Sequence, residues 1–146
     1  MKDTYHFISE SEAVHHEELH QLYEDIFGQD RKILFAELKG KKKLSILAVS
    51  RNGELAGFKM GYEQKNGRYY SWLGGIKAEY RKQGLASELM KRQHEWLKRE
   101  GYHSVQTKTK NKWRSMLILN IKCGFDIIGT YTDSKGEPKI ILEKKL

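Results

Sequence analysis

Apolar and polar residues alternate along this chain with two different periods, and the switches between them predict its elements. Near the start, "TYHFIS" (residues 4–9) reads as a short strand. "HHEELHQLYEDIFG" then places Leu19, Leu22, Tyr23, Ile26 and Phe27 at helical spacing, with Gly28 suited to stop the helix. "RKILFAELKG" continues as a second short helix. From Leu44 to Lys77 the period shortens. "LSILAVSRNGELAGFKMGYEQKNGRYYSWLGGIK" predicts three strands joined by tight turns at Asn52-Gly53 and Asn66-Gly67, because Asn-Gly supplies the positive φ angles of two-residue hairpins. Helical spacing returns from Leu85 to Glu100, where Ala86, Leu89, Met90, Trp96 and Leu97 share one face. "YHSVQTKTK" alternates like a strand, and "KWRSMLILNIKCG" resumes a helix that Gly124 stops. "FDIIGTYT" and "KIILEKKL" then form a terminal hairpin around "DSKGEPK". The order is βααβββαβαββ. Early hairpins, a strand–helix–strand crossover and a terminal hairpin predict an α/β (α+β) fold, a mixed and mostly antiparallel sheet with helices on both faces.

Length and composition narrow this picture without naming a function. The 146 residues suit a single domain, 1–146, large enough for a core without disulfide or metal staples. No repeat, low-complexity segment or linker interrupts it. No apolar run approaches the length of a membrane span, and "MKDTYHFISESEAVHH" lacks the apolar core of an export signal. Cys123 is the one cysteine, so no internal disulfide forms, and the cytoplasm is the expected location. At an apolar helix end this thiol reads as packing rather than as a nucleophile. The six histidines show no metal-ligand spacing.

Charge changes the picture more. The net charge is +8, and all of it sits in the second half: residues 74–146 carry 16 Lys+Arg against 8 Asp+Glu, whereas residues 1–73 carry 11 of each. A basic half fits a nucleic-acid strand, one compact polyanionic coenzyme, or a solvated surface with no partner. Exposed aromatics interleaved with cations would favour the strand. "RYYSW" hints at that, but its rings alternate along a central strand and belong to core or pocket.

"EYRKQGLASELMKR" decides among these. A helix N-terminus presents four unpaired N–H groups and a partial positive charge. This one has no Ser, Thr, Asp or Asn at a convincing cap position, Gly84 allows close backbone approach, and Arg81 and Lys82 add mobile charge. Such an end suits phosphate. It lacks the Lys-Ser/Thr of a Walker loop and the three spaced glycines of a dinucleotide fingerprint. Alone, the string is also compatible with a glycine turn entering a surface helix.

In its setting, after a strand ending "WLGGIKAEY" and opening an amphipathic helix, the stretch resembles the acetyl-CoA loop of the GNAT superfamily of N-acetyltransferases, Arg/Gln-x-x-Gly-x-Gly/Ala. Arg81, Gly84 and Ala86 match that loop, and Gly124-Phe125 matches the Gly-Phe that often ends a later helix in the family. In the preceding strand Ile76 and Arg81 fit, with Ala78 in place of a common proline. The resemblance implies acetyl-CoA as donor, coenzyme A as product, and direct transfer to a primary amine of a small molecule or peptide. It implies that the backbone of Arg81, Lys82, Gln83, Gly84, Leu85 and Ala86, with Ser87, holds the pyrophosphate. Ile76 and Lys77 would pair with the pantetheine, and Gly74-Gly75 would mark a bulge or close approach that splays this strand from the next. Family members are often dimers, which makes a homodimer one expectation; no nucleic acid or membrane partner is implied.

The chain departs from the pattern at the general acid. Where many members carry a tyrosine, four residues before the Gly-Phe glycine, this sequence has Asn120. Asn120 shares a helical face with Trp113, Met116, Leu117 and Ile121 and should point inward with them, towards coenzyme or a backbone partner. Asn120 cannot donate a proton as an acid, but a thiol with a pKa of about 8.5 leaves tolerably near neutral pH. Tyr131 could substitute. Asn111 lies two residues before the position of a family asparagine, which Trp113 occupies here. Glu63 and Glu79 are the carboxylates on offer as general base, and each also suits a plain surface role. Tyr23, Phe27, Phe35, Tyr62, Tyr70 and Trp72 could line an acceptor pocket. The missing tyrosine also keeps open an acyl-CoA-binding module that has lost turnover.

Overall fold

The computed structural model describes residues 2–146. Seven strands form one sheet: β1 (Asp3–Phe7), β2 (Ser45–Arg51), β3 (Glu54–Lys65), β4 (Arg68–Ile76), β5 (Ser104–Thr109), β6 (Asp126–Thr132) and β7 (Pro138–Lys145). Their spatial order is β1-β2-β3-β4-β5-β7-β6, antiparallel throughout except for the parallel pair β4–β5. The expected mixed, mostly antiparallel sheet is present. The helices are α1 (Glu10–Ala13), α2 (Glu17–Phe27), α3 (Arg31–Leu38), α4 (Leu85–Arg99) and α5 (Arg114–Lys122). Helix α1 is the one α-helix the periodicity did not predict. Four residues are too few to show a stripe; its signal is the capping box, Ser9 and Glu12 exchanging hydrogen bonds at the helix start.

Strand alternation puts helices on both faces. On β2, Ile46 and Ala48 join Leu19, Leu22, Tyr23, Leu34 and Leu38 of α2 and α3. The intervening Leu47 and Val49 face the other way, onto Leu85 and Leu89 of α4. Further along that second face, Met90 and Leu97 of α4 pack with Val105, Ile140, Leu142 and Phe125, and α5 adds Leu117 and Leu119. Strands β5, β7 and β6 thus lie beside α4 and α5 on one face.

Candidate functional site

Two neighbouring strands part in the middle of this sheet. The β4–β5 ladder has three rungs, Arg68–Ser104, Tyr69–Val105 and Tyr70–Gln106, although β4 continues to Ile76 and β5 to Thr109. The hydroxyl of Thr107 donates to the carbonyl of Ser71 at 3.0 Å as a last strut. Beyond it the strands are unpaired. The β3–β4 register slips between Met60 and Gly61, leaving Trp72 as the extra residue of a bulge on β4. Gly74-Gly75, expected to mark a bulge or a close approach, lies just past that bulge and serves the close approach: a side chain on Gly75 would collide with Ile26 of α2.

The backbone of β4 facing the gap follows from its pairing. Lys77 N–H donates to Ala56 at 2.8 Å, so in the antiparallel alternation the N–H groups of Gly74 and Ile76 point away from β3, into the gap. The carbonyl of Ile76 accepts from Arg81 Nε at 2.9 Å, which draws the loop back onto the strand end. Lys77 has no such freedom. Its carbonyl accepts from Tyr80, and its ammonium bonds Glu54 and Glu79. Of the pair the resemblance implied, only Ile76 keeps a free backbone N–H.

The loop after β4 matches its expected geometry. A short 3-10 turn, Ala78–Tyr80, leads to Lys82 (φ 62°) and Gly84 (φ 83°), both left-handed, and Gly84 caps α4 with no side-chain hydrogen bond. The N–H groups of Lys82, Gln83, Gly84, Leu85, Ala86 and Ser87 find no acceptor among the described residues; Glu88 is the first to bond, to the Gly84 carbonyl at 3.1 Å. Arg81, Lys82, Gln83, Gly84 and Ser87 are exposed, Ala86 is half-buried, and Leu85 is buried beneath them as the anchor. Arg51 of β2 braces the loop from below. It is almost fully buried, holds Asp3 at 2.8 and 3.2 Å, and donates to the side-chain oxygen of Gln83. The sequence reading missed Arg51; an arginine in an apolar strand next to the Asn52-Gly53 turn was its only signal.

Between α4 and the sheet lies a buried polar cluster the sequence reading also missed. Gln93 of α4 is wholly buried and neither amide atom has a partner; Gly61 makes room for it, since a Cβ there would lie 3.0 Å from its nitrogen. His94 accepts from the Lys144 ammonium at Nδ1 (3.1 Å), which leaves the proton on Nε2, itself buried and unpartnered. Burial, with Lys144 and Lys59 nearby, pushes the His94 pKa down to about 3. Lys59 of β3 keeps part of its surface exposed, yet burial lowers its pKa to about 8, with Cys123 close enough to oppose the shift. Thr109 Oγ1 is unpartnered too.

The expected catalytic residues separate. Asn120 is buried in α5, and its side-chain amide makes no hydrogen bond to the described residues. The face assigned to it was partly wrong. Trp113, Met116 and Ile121 are exposed, and the inward stripe runs through Leu117, Asn120 and Cys123. Tyr131 lies on β6, exposed, opposite Lys139 in register. It therefore faces away from α5, on the other side of the sheet from Ile140 and Asn120. Asn111 is exposed in the turn before α5, and Trp113 takes the cap position there without a side-chain bond. Glu63 is not available as a base. It accepts from Tyr102 at 2.8 Å and pairs with Lys42 at 2.8 Å, at the closed end of the sheet, and both contacts hold its carboxyl below the usual range. Glu79 is exposed beside the loop and paired with Lys77.

Tyr62, Tyr70 and Trp72 do meet, on the α2–α3 face above the gap: Tyr62 stands 5.4 Å from Tyr70 and 5.6 Å from Trp72, ring centre to ring centre. Tyr23 and Phe35 are committed elsewhere, to Gln29 and to the His20 ring. Among the described residues no helix is long and apolar enough to cross a membrane, and no cluster of His, Cys, Asp and Glu could hold a metal ion.

The sequence model of the Acetyltransferase (GNAT) family matches residues 8–125. No curated protein matches the sequence. Solved structures share the fold at low identity. The ribosomal-protein-S18-alanine N-acetyltransferase of Escherichia coli superposes with a TM-score of 0.82 at 16% identity, over 99% of this chain and 94% of that one. Ard1 of Thermoplasma volcanium gives 0.84 at 16%, over 99% and 97%. An aminoglycoside 6'-N-acetyltransferase complexed with coenzyme A gives 0.81 at 13%, over 97% and 96%.

Proposed function

The chain belongs to the GNAT acetyltransferase family, and from the six free amides at the mouth of α4 we propose that it binds acetyl-CoA there and passes the acetyl group to a primary amine of a small molecule or peptide. The whole chain, 1–146, acts as one domain, because β7 pairs with β5 and so ties the strands beyond residue 125 into the same sheet.

The residues present fit the coenzyme. Consecutive N–H groups from Lys82 to Ser87, with the α4 dipole behind them, form a concave donor surface for a pyrophosphate. Gly84 keeps that surface open: a Cβ there would meet nothing within 4 Å. Arg81 and Lys82 add charge at the rim. The N–H groups of Gly74 and Ile76 suit an extended ligand lying along β4 where β5 has parted from it. Acetyl-CoA supplies an activated thioester carbonyl. One β4 N–H is placed to donate to its oxygen as charge builds there. A neutral acceptor amine would bond to the thioester carbonyl carbon as the C–S bond breaks, and the proton shed by the nitrogen would end on the departing sulfur, giving the amide and coenzyme A. Asn120 contributes binding through its unpartnered amide, and the low thiol pKa makes a dedicated acid dispensable.

Calorimetric titration with acetyl-CoA followed by a thiol-release assay over an amine panel tests the reading. Micromolar binding and release with at least one amine are expected. Absence of binding refutes it. Binding with no release from amines, peptides or aminoglycosides favours a module that holds the coenzyme without turnover, the reading that Asn120 in place of a tyrosine supports.

A further inference from the structure

The face of the sheet opposite α4 is only half covered by helices. Helices α2 and α3 pack over β2, β3 and β4, whereas Gln106, Lys108, Tyr131, Lys139 and Ile141 on the same side of β5, β6 and β7 have no helix above them. The resulting open surface borders the gap between β4 and β5. Its floor is the aromatic array Trp72–Tyr62–Tyr70, continued by Tyr131 beyond the gap.

That array already carries cations. The Lys41 ammonium sits 4.6 Å from the Tyr62 ring centre and 5.0 Å from that of Trp72. Lys108 stands 5.3 Å from Tyr131 and 6.0 Å from Tyr70. Lys139 lies 5.5 Å from Trp113. All three are half-buried, and none has a carboxylate within 4.0 Å among the described residues. Arg31 with Glu17 and Glu24, Arg51 with Asp3, and Lys110 with Asp133 and Glu137 are enclosed cations that do have carboxylate partners, whereas Lys59 and Lys144, on the opposite face, do not among the described residues. The carboxylates bordering the array are Glu37, exposed on α3 with its charge reaching Tyr23 and Tyr62, and Glu143, which accepts from Gln106 at 3.3 Å. Neither neutralises Lys41 or Lys108.

A bare polyamine is a poor guest for such a surface. The negative faces of the rings are taken by lysines, and an incoming ammonium would meet like charge. We infer that the acceptor is an amine bearing a carboxylate a few bonds from its nitrogen, held by Lys41 and Lys108 while the nitrogen reaches the gap. Charge-assisted hydrogen bonds from both ammoniums would hold that carboxylate, and the rings fix where the ammoniums stand. This inference rests on the acetyl-transfer reading above.

The test compares acceptors that differ only in the anion. 6-Aminohexanoate against 6-aminohexanamide represents small molecules, C-terminally amidated Ala-Glu against Ala-Gln represents peptides, and spermidine is the cationic control. Thiol release is measured with each. In at least one pair the carboxylate member should show kcat/KM about tenfold or more above its amide, with the ratio shrinking as salt is raised. The pair that responds identifies the source of the carboxylate. In the Lys41→Gln/Lys108→Gln double variant the ratio should fall to near one, with acetyl-CoA affinity, measured alongside, reporting that the fold is intact. Equal rates within both pairs, faster release with spermidine, or no release from any member while acetyl-CoA still binds would overturn the acceptor class and leave the coenzyme reading standing. Loss of acetyl-CoA binding by the wild-type protein would overturn both.

Discussion

Gly84 offers the sharpest separation of fold from function. It sits at φ 83°, ψ 4°, and a methyl placed on it would touch nothing within 4 Å. Gly84→Ala therefore costs conformational strain alone, about 1–2 kcal/mol for an L-residue in the left-handed region. For a chain of this size that lowers Tm by a few degrees, at about 2–4 °C per kcal/mol. The methyl, however, stands on the surface formed by the amides of residues 82–87. Holding a pyrophosphate off one or two of these donors forfeits charge-assisted hydrogen bonds of about 1.5–3 kcal/mol each. Acetyl-CoA affinity should then fall by about ten- to a hundredfold or more. Gly101, at the other end of the same helix, gives the control: its φ is 88°, and a Cβ there also meets nothing. Gly101→Ala should lower Tm similarly and leave the dissociation constant of acetyl-CoA unchanged. Thermal melts of the free proteins and calorimetric titrations provide both numbers. If Gly84→Ala and Gly101→Ala lose stability alike and bind acetyl-CoA alike, the loop is not the phosphate site.

Three further outcomes follow from the groups around the gap. His94, held neutral by burial with its pKa pushed down to about 3, should make the fold lose stability as pH drops below about 6.5, the unfolded value, at up to about 1.4 kcal/mol per pH unit; denaturant melts between pH 7 and 5 should show this slope, and His94→Gln should remove it. Lys59, with its pKa lowered to about 8, is penalised for carrying its charge, fully so below pH 8 and not at all above about 10.5, so Lys59→Met should stabilise the fold at pH 7 by about 1–3 kcal/mol, with the advantage vanishing by pH 10.5. Arg51→Ala frees Gln83 and should weaken acetyl-CoA binding several-fold by calorimetry, an effect that Asp3→Asn, which leaves the Arg51–Gln83 contact in place, should not reproduce in full.

What the sequence made legible was what short-range physics decides. Asn52-Gly53 and Asn66-Gly67 dictated their hairpins, and Gly28, Gly101 and Gly124, all left-handed, ended three helices where the apolar stripes ran out. The uncapped start of α4 was legible for the same reason. A missing cap is a local fact, and the structure shows its consequence as six amides without acceptors. Orientation on α5 was not legible. Its stripe of apolar residues runs nearly all round, so Trp113, Met116 and Ile121 could not be ranked against Leu117, and only packing against Phe125, Ile140 and Leu142 chose the inward side. The bulge was displaced by two residues for a related reason. Gly74-Gly75 permits a bulge, but the contest between Met60–Leu73 and Gly61–Ser71 pairing placed it at Trp72.

The residues the pattern missed are polar groups buried by long-range packing. Gln93, His94 and Thr109 keep buried polar atoms without partners, and each such group costs about 1–3 kcal/mol. A chain of marginal stability does not keep several of these at one place without a compensating use. Gln93 stands against Gly61, and His94 against Phe125 and Lys144, on the face of the sheet that α4 covers. Two of these groups are N–H donors without an acceptor among the described residues, His94 Nε2 and the Gln93 amide. The sequence could show the asparagine at position 120 but not these donors, since Gln93 and His94 lie 27 and 26 residues before it and are buried only once α4 has packed across the sheet.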